Sequence, residues 1–259
     1  MQVTVKGLRV QYIDNGRGPG DEREVVLFLH GWGAPVSAYR AVLAPLEEKY
    51  RVVAFDMPGV GETDEPQSPM TVDDYVDFAQ CFARCLGITR CILMGHSHGG
   101  RVAVGLMTRE QGSPEVKRCV LMDAAGVPPH RSMGYKVRQR LYKCLKVLGT
   151  SPLTRPLFGE LYEIRRDRRS SADYKAASPV MRQTLSNVVN ADMTPYMPRI
   201  RAEVLLIWGE KDTATPLSDG QKMEQLIPGA GLAVIAGGSH FPFVENPAQF
   251  RAVLSAFLL

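Results

Sequence analysis

The chain has 259 residues, 45% of them apolar, with a net charge of +4 and five cysteines. That length suits one large domain, or a domain carrying an insertion, and the composition is that of an ordinary globular protein. The odd, scattered cysteines exclude a disulfide framework, the modest charge makes no case for nucleic acid, and no run of about 18 apolar residues is present to span a membrane.

The first ten residues alternate apolar and polar and read as a strand, not as a basic-then-apolar leader, so a cytoplasmic location is expected. Residues 8–13 alternate in the same way, whereas 25–29 form a continuous apolar run, the signature of a strand buried on both faces. Similar runs recur at 51–55, 91–94, 118–122, 203–208 and 232–235. Between them the period shifts to that of helices, at 37–49, 72–86, 99–110, 217–227 and 247–259. Thr71 and Asn246 stand at N-cap positions, and Gly87 and Gly112 at helix stops. The alternation predicts an α/β fold with a mostly parallel central sheet and helices on both faces.

The pattern breaks at 127–198, where Pro128-Pro129 precedes a helical stretch at 135–148 and no strand is evident. This segment reads as an inserted helical cap, leaving 1–126 and 199–259 as the core. Between Arg131 and Arg169 it holds eleven basic and three acidic residues. The plain reading is a solvated face; the sharper one is attraction of an acidic substrate. No regular aromatic set accompanies the arginines, so nucleic acid is not an expected partner. Cys81 and Cys85, four apart, lack a histidine or second pair at ligand spacing; they read as structural, with no metal.

Gly95-His96-Ser97-His98-Gly99 follows the run 91–94 and precedes a helical stretch. A serine at such a turn projects its hydroxyl beyond the sheet edge, and the flanking glycines permit the tight backbone and close helix packing. The three fixed positions alone recur by chance in roughly one chain in ten; the strand–turn–helix placement narrows that considerably.

At these residues the sequence resembles the α/β-hydrolase superfamily. His30-Gly31-Trp32-Gly33 is similar to its oxyanion loop, and Asp56-Met57-Pro58-Gly59-Val60-Gly61 to its Asp-x-Pro-Gly-x-Gly turn, with Thr63 where Ser is frequent. Gly209-Glu210-Lys211-Asp212 resembles the acid-bearing loop and Gly238-Ser239-His240-Phe241 the histidine loop. The resemblance implies a triad in the order Ser97, Asp212, His240: nucleophile, orienting acid and general base. Asp123, at the end of the strand 118–122, competes for the role of acid. The backbone N–H groups of Trp32 and His98 are the implied oxyanion donors. His30 is expected to hold its loop and His96 to pack beneath the turn, while His98 either lines the pocket or packs passively. Met133, Tyr135, Phe158, Tyr162 and Phe241 are candidate pocket residues.

The implied activity is hydrolysis of an ester or related acyl bond of a small molecule through an acyl-enzyme, with no cofactor, by a monomer or homodimer. Carbon–carbon or amide hydrolysis by the same triad, and a non-catalytic ligand-binding role, are the alternatives.

Overall fold

The computed structural model describes all residues except 17, 19, 20, 129–132, 153, 161–176 and 259, and only the backbone of 133–139. The chain divides into two units, Met1–Pro128 with Gln183–Leu259, and Pro129–Arg182.

In the larger unit an eight-stranded sheet has the order β1-β2-β4-β3-β5-β6-β7-β8. The strands are β1 (Gln2–Val5), β2 (Leu8–Asp14), β3 (Val25–Leu29), β4 (Arg51–Phe55), β5 (Arg90–His96), β6 (Glu115–Met122), β7 (Glu203–Gly209) and β8 (Gly231–Ile235). β1 pairs antiparallel with β2, and β2 with β4; the remaining pairings are parallel. The single strand expected over the first ten residues is therefore a hairpin in part. Val5 pairs with Leu8, and Lys6 and Gly7 both take positive φ, 48° and 82°, as a two-residue turn matching strand twist requires.

β3 lies between β4 and β5 and is buried on both faces. Leu27 and Leu29 join Val53, Phe55 and Leu93 in one core layer; Val26 and Phe28 join Val52, Ala54, Ile92 and Met94 in the other. The period-2 alternation of Cβ direction thus explains the unbroken apolar runs. On the first face lie α1 (Val72–Cys85) and α2 (His98–Thr108); α1 starts with a capping box in which the Thr71 hydroxyl accepts from Asp74 N–H and the Asp74 carboxylate from Thr71 N–H. On the opposite face packs the last helix, Pro247–Leu258, whose Asn246 side chain accepts from Gln249 N–H at 3.4 Å.

Three expectations shift. The helix over 37–49 is a succession of short turns, Val36–Tyr39, Arg40–Leu43 and Ala44–Leu46. Pro45 accounts for the break, since it brings no N–H and crowds the preceding turn. Gly112 does not stop α2, which ends at Thr108 with Arg109 already extended; its φ of 81° serves the loop into β6. Residues 183–198, placed with the insertion by pattern, group with the larger unit. They are tied there by bonds from Met70 N–H to the Thr184 hydroxyl (3.0 Å) and from Met193 N–H to the Gly126 carbonyl (2.8 Å). Buried Met193 and Met197 reinforce this join.

The smaller unit contains α3 (Met133–Thr150), with Leu145 buried and Arg140, Lys143 and Lys146 exposed, and a further helical turn through Phe158. The fourth helix, α4 (Pro179–Val189), begins in this unit and ends in the larger one. In the larger unit follow α5 (Leu217–Leu226), a single turn at Pro242–Glu245 and, as described above, α6 (Pro247–Leu258).

Candidate active site

β5 ends at His96 and α2 begins at His98, so the whole turn is Ser97, held at φ 50° and ψ −115°. Such a conformation is costly for a residue with a side chain and persists only when its surroundings impose it. Here Ser97 N–H donates to the Met122 carbonyl (3.1 Å), and the Ser97 carbonyl accepts from Ala125 N–H (2.9 Å). The glycines are required by space. A Cβ on Gly99 would overlap the Leu29 carbonyl, and one on Gly95 would come within 2.8 Å of the Gly99 oxygen.

The hydroxyl of Ser97 lies 3.0 Å from Nε2 of His240, on the loop after β8. The opposite ring nitrogen, Nδ1, lies 2.7 Å from Oδ2 of Asp212, on the loop after β7. With Nδ1 protonated, His240 donates to the carboxylate and accepts from the serine. The loop after β7 aims Asp212 by an Asx-type turn: its Oδ1 accepts from the N–H groups of Ala214 (2.7 Å) and Thr215 (3.1 Å), and its Oδ2 from the Thr215 hydroxyl (2.7 Å). Burial acts to raise the Asp212 pKa, but the bonds from His240 and Thr215 outweigh it and hold the carboxyl at about 2.

Asp123 does not reach His240. Fully buried at φ 41°, it accepts from Gly209 N–H through Oδ1 (2.8 Å), while its carbonyl oxygen lies 3.0 Å from the Thr215 hydroxyl, whose proton goes to Asp212. Burial, with neighbouring Asp212 adding to it, pushes its carboxyl up to about 9. Two aspartates near one histidine thus differ in charge at neutral pH, and the ionised one is the one bonded to the histidine.

Behind the serine, His96 ties three loops together. Its Nε2–H donates to the His240 carbonyl (2.8 Å), and Nδ1 accepts from the Tyr39 hydroxyl (2.8 Å), which itself accepts from Gly31 N–H (3.0 Å). Burial lowers its pKa to about 3, so the ring is neutral. His30 is also buried and neutral: Nδ1–H donates to the Gly31 carbonyl (2.6 Å) and Nε2 accepts from Met57 N–H (2.7 Å). In the Asp56–Gly61 turn, Asp56 accepts from Val36 N–H (2.7 Å), and Thr63 accepts from Gln11 N–H (3.0 Å).

Residues 30–33 run beside the serine, close enough that a Cβ on Gly31 would sit 3.2 Å from that of Ser97. The Trp32 N–H belongs to this loop, and the His98 N–H is the first of α2, which no intrahelical acceptor can satisfy. The rings of Trp32 and Tyr75 meet His98 edge-on. Phe241, 40% exposed, lies 5.4 Å from the His240 ring. Of the other candidate pocket residues, the side chains of Met133 and Tyr135 and the whole of Tyr162 lie outside the described residues; Phe158 is half-buried within the smaller unit. Tyr39 and Thr215 were not singled out from sequence. Thr215 carried a signal, a hydroxyl three residues after a loop aspartate; Tyr39 carried none.

Among the described residues no three His, Cys, Asp or Glu side chains converge as metal ligands, and no helix is long and apolar enough to cross a membrane.

Comparison with known proteins fits this geometry. A family model described as "alpha/beta hydrolase fold" matches residues 24–247. The chain is 30% identical to a 2-hydroxy-6-oxononadienedioate/2-hydroxy-6-oxononatrienedioate hydrolase from Paraburkholderia phymatum, over 97% of this chain and 91% of that one. The solved structure of a meta-cleavage product hydrolase from Pseudomonas fluorescens IP01 superposes with a TM-score of 0.71 at 25% identity, covering 99% of this chain and 96% of its own. That of an enol-lactonase from Burkholderia xenovorans LB400 gives 0.75 at 22% identity, covering 100% and 99%, a likeness of fold. With the serine turn, acid loop and histidine loop all following parallel strands of one sheet, and the family match covering most of its length, the chain belongs to the alpha/beta hydrolase fold family.

Proposed function

We propose that the protein is a serine hydrolase that cleaves an ester or related acyl bond of a small molecule through an acyl-enzyme. The observation carrying this reading is the unbroken relay from Asp212 Oδ2 through His240 to Ser97 Oγ, at 2.7 and 3.0 Å. Ser97 Oγ attacks the substrate carbonyl as His240 Nε2 takes its proton. The carbonyl oxygen gains the negative charge, which the N–H groups of Trp32 and His98 receive, aided by the N-terminus of α2. The tetrahedral species collapses, the carbon–leaving-group bond breaks, and His240 returns the proton to the leaving group. Water then attacks the acyl-serine with His240 again as base, releasing the acid and restoring the serine. Asp212, ionised throughout, fixes the histidine tautomer and stabilises its charged form. The insertion read from the sequence at 127–198 is the cap of this proposal, and its basic composition suits acidic substrates.

Carbon–carbon bond hydrolysis by the same relay is the second reading, favoured by relatives that include meta-cleavage product hydrolases. A serine-reactive fluorophosphonate, applied to the wild type and to Ser97→Ala and followed by peptide mapping, tests the shared core of both. Labelling at Ser97 that vanishes in the variant is expected. Folded wild type that resists labelling would sink the catalytic reading and favour ligand binding without turnover.

A further inference from the structure

Three histidines are buried in the core of the site, and one of them differs from the others. His30 and His96 have both ring nitrogens bonded; His98 is 3% exposed and, among the described residues, has neither bonded. Its ring lies edge-on to Trp32 and Tyr75, at 5.9 and 4.9 Å between centroids. The Tyr75 hydroxyl is already committed to the Pro58 carbonyl (3.2 Å). Burial, then the nearby Arg101 charge, holds His98 well below the usual histidine range, so the ring is neutral and carries one N–H.

Arg101 follows three residues later on the same face of α2 and is 8% exposed. Among the described residues its guanidinium donates to the Val189 carbonyl at 3.3 Å, and its Nε–H has no acceptor. Asp219 acts on it from α5, but among the described residues no carboxylate forms an ion pair with it. A buried cation with no carboxylate in contact is costly in a folded protein. The relay uses neither side chain.

We infer that His98 and Arg101 form a recognition site for a carboxylate on the substrate, one oxygen taking the His98 N–H and the other the Arg101 Nε–H. The inference rests on the acyl-hydrolase reading. A neutral hydroxyl or amide would satisfy His98 and leave Arg101 with no carboxylate in contact. Arg101 stands about one helical turn, ~5 Å of rise, beyond Ser97, so the carboxylate and the scissile carbonyl are separated by roughly three to five atoms. The substrate class is the half-ester, or an equivalent half-acyl derivative, of a short dicarboxylic acid.

The test compares kcat/KM for the 4-nitrophenyl half-esters of glutarate and adipate with 4-nitrophenyl pentanoate and hexanoate, which match them in length and lack the charge. The wild type should prefer the carboxylates by about 10- to 100-fold, the range expected of hydrogen bonds to a charged group. Arg101→Gln keeps a donor for the Val189 carbonyl and drops the charge; it should bring the preference to within about 3-fold. His98→Phe should lower the preference, and His98→Gln, which restores an N–H, should recover it in part. Fluorophosphonate labelling runs beside each assay. Labelling at Ser97 with no carboxylate preference in the wild type, or with a preference that survives Arg101→Gln, overturns the inference and leaves the hydrolase reading standing. If the wild type neither labels nor turns over, the hydrolase reading falls. The carboxylate site is then decided by whether glutarate or adipate raises Tm in the wild type and not in Arg101→Gln, and no rise overturns it.

Discussion

The carbonyl of His240 accepts the Nε2–H of His96 at 2.8 Å, so the residue before the serine holds the backbone of the histidine that faces it. Through Tyr39 the same ring reaches Gly31 of the neighbouring loop. His96→Phe keeps an aromatic ring against Phe241 and Phe243 and removes both bonds. It should cost about 1–3 kcal/mol of stability, the penalty for stranding buried partners. It should also lower kcat by about 10- to 100-fold, because small displacements of a reacting group are expensive. His96 is neutral above about pH 3, so the pH dependence between 5 and 8 should keep its shape. A variant that loses Tm while keeping kcat would show that His96 serves packing and not placement.

Ser97→Ala and His240→Ala should each remove on the order of 10⁶ in kcat, and the double variant little more, since the two act as a unit. Steady-state rates of the three variants on one activated ester check this. Losses that multiplied would mean that the two residues work independently, against the 3.0 Å contact between them.

The acid assignment separates two aspartates in contact with the same threonine. Asp212→Asn places an amide where the ionised oxygen meets His240 and should cost about 10⁴-fold in kcat, as wrong-tautomer variants do. Asp123→Asn substitutes a neutral side chain for one already neutral and preserves an acceptor for Gly209 N–H, so its kcat should change by less than about 10-fold. The reverse ranking would transfer the role to Asp123.

The parts of this arrangement that were legible in sequence are those fixed by local physics. The runs 25–29 and 51–55 had to be apolar throughout because both sheet faces are covered, and Gly99 had to lack a side chain because the Leu29 carbonyl occupies its place. Asp212 and His240 were legible because each directly follows a strand on a short loop. What escaped was set by contacts distant in the chain. Tyr39 meets His96 across 57 positions, with no pattern linking the two. Residues 183–198 looked like insertion because they carry no strand, yet Thr184 reaches back 114 positions to Met70. Arg101 reads as one more basic residue of an amphipathic helix until the packing shows what surrounds it.

The Asp123 carboxyl offers a test of the site by stability alone. Its value in the folded chain, about 9, lies above the ordinary carboxylate value of 3.8. Between those limits the folded chain holds a proton that the unfolded chain has released, so stability falls as pH rises. The contribution is complete below about pH 3.8 and is lost progressively as the pH climbs to about 9. Asp212 has the opposite sign: held at about 2, it stabilises above 3.8, and that stabilisation disappears as pH falls through 2. Across pH 4–9 the two are therefore distinguishable, because only Asp123 contributes a slope there. Asp123→Asn removes the titrating group and should flatten the decline, by at most about 1.4 kcal/mol per pH unit. Urea midpoints of wild type and variant, measured at intervals from pH 4 to 9, should diverge with the variant gaining on the wild type as pH increases. Parallel curves would mean that Asp123 is ionised in the folded protein, and the division of charge between the two aspartates would have to be abandoned.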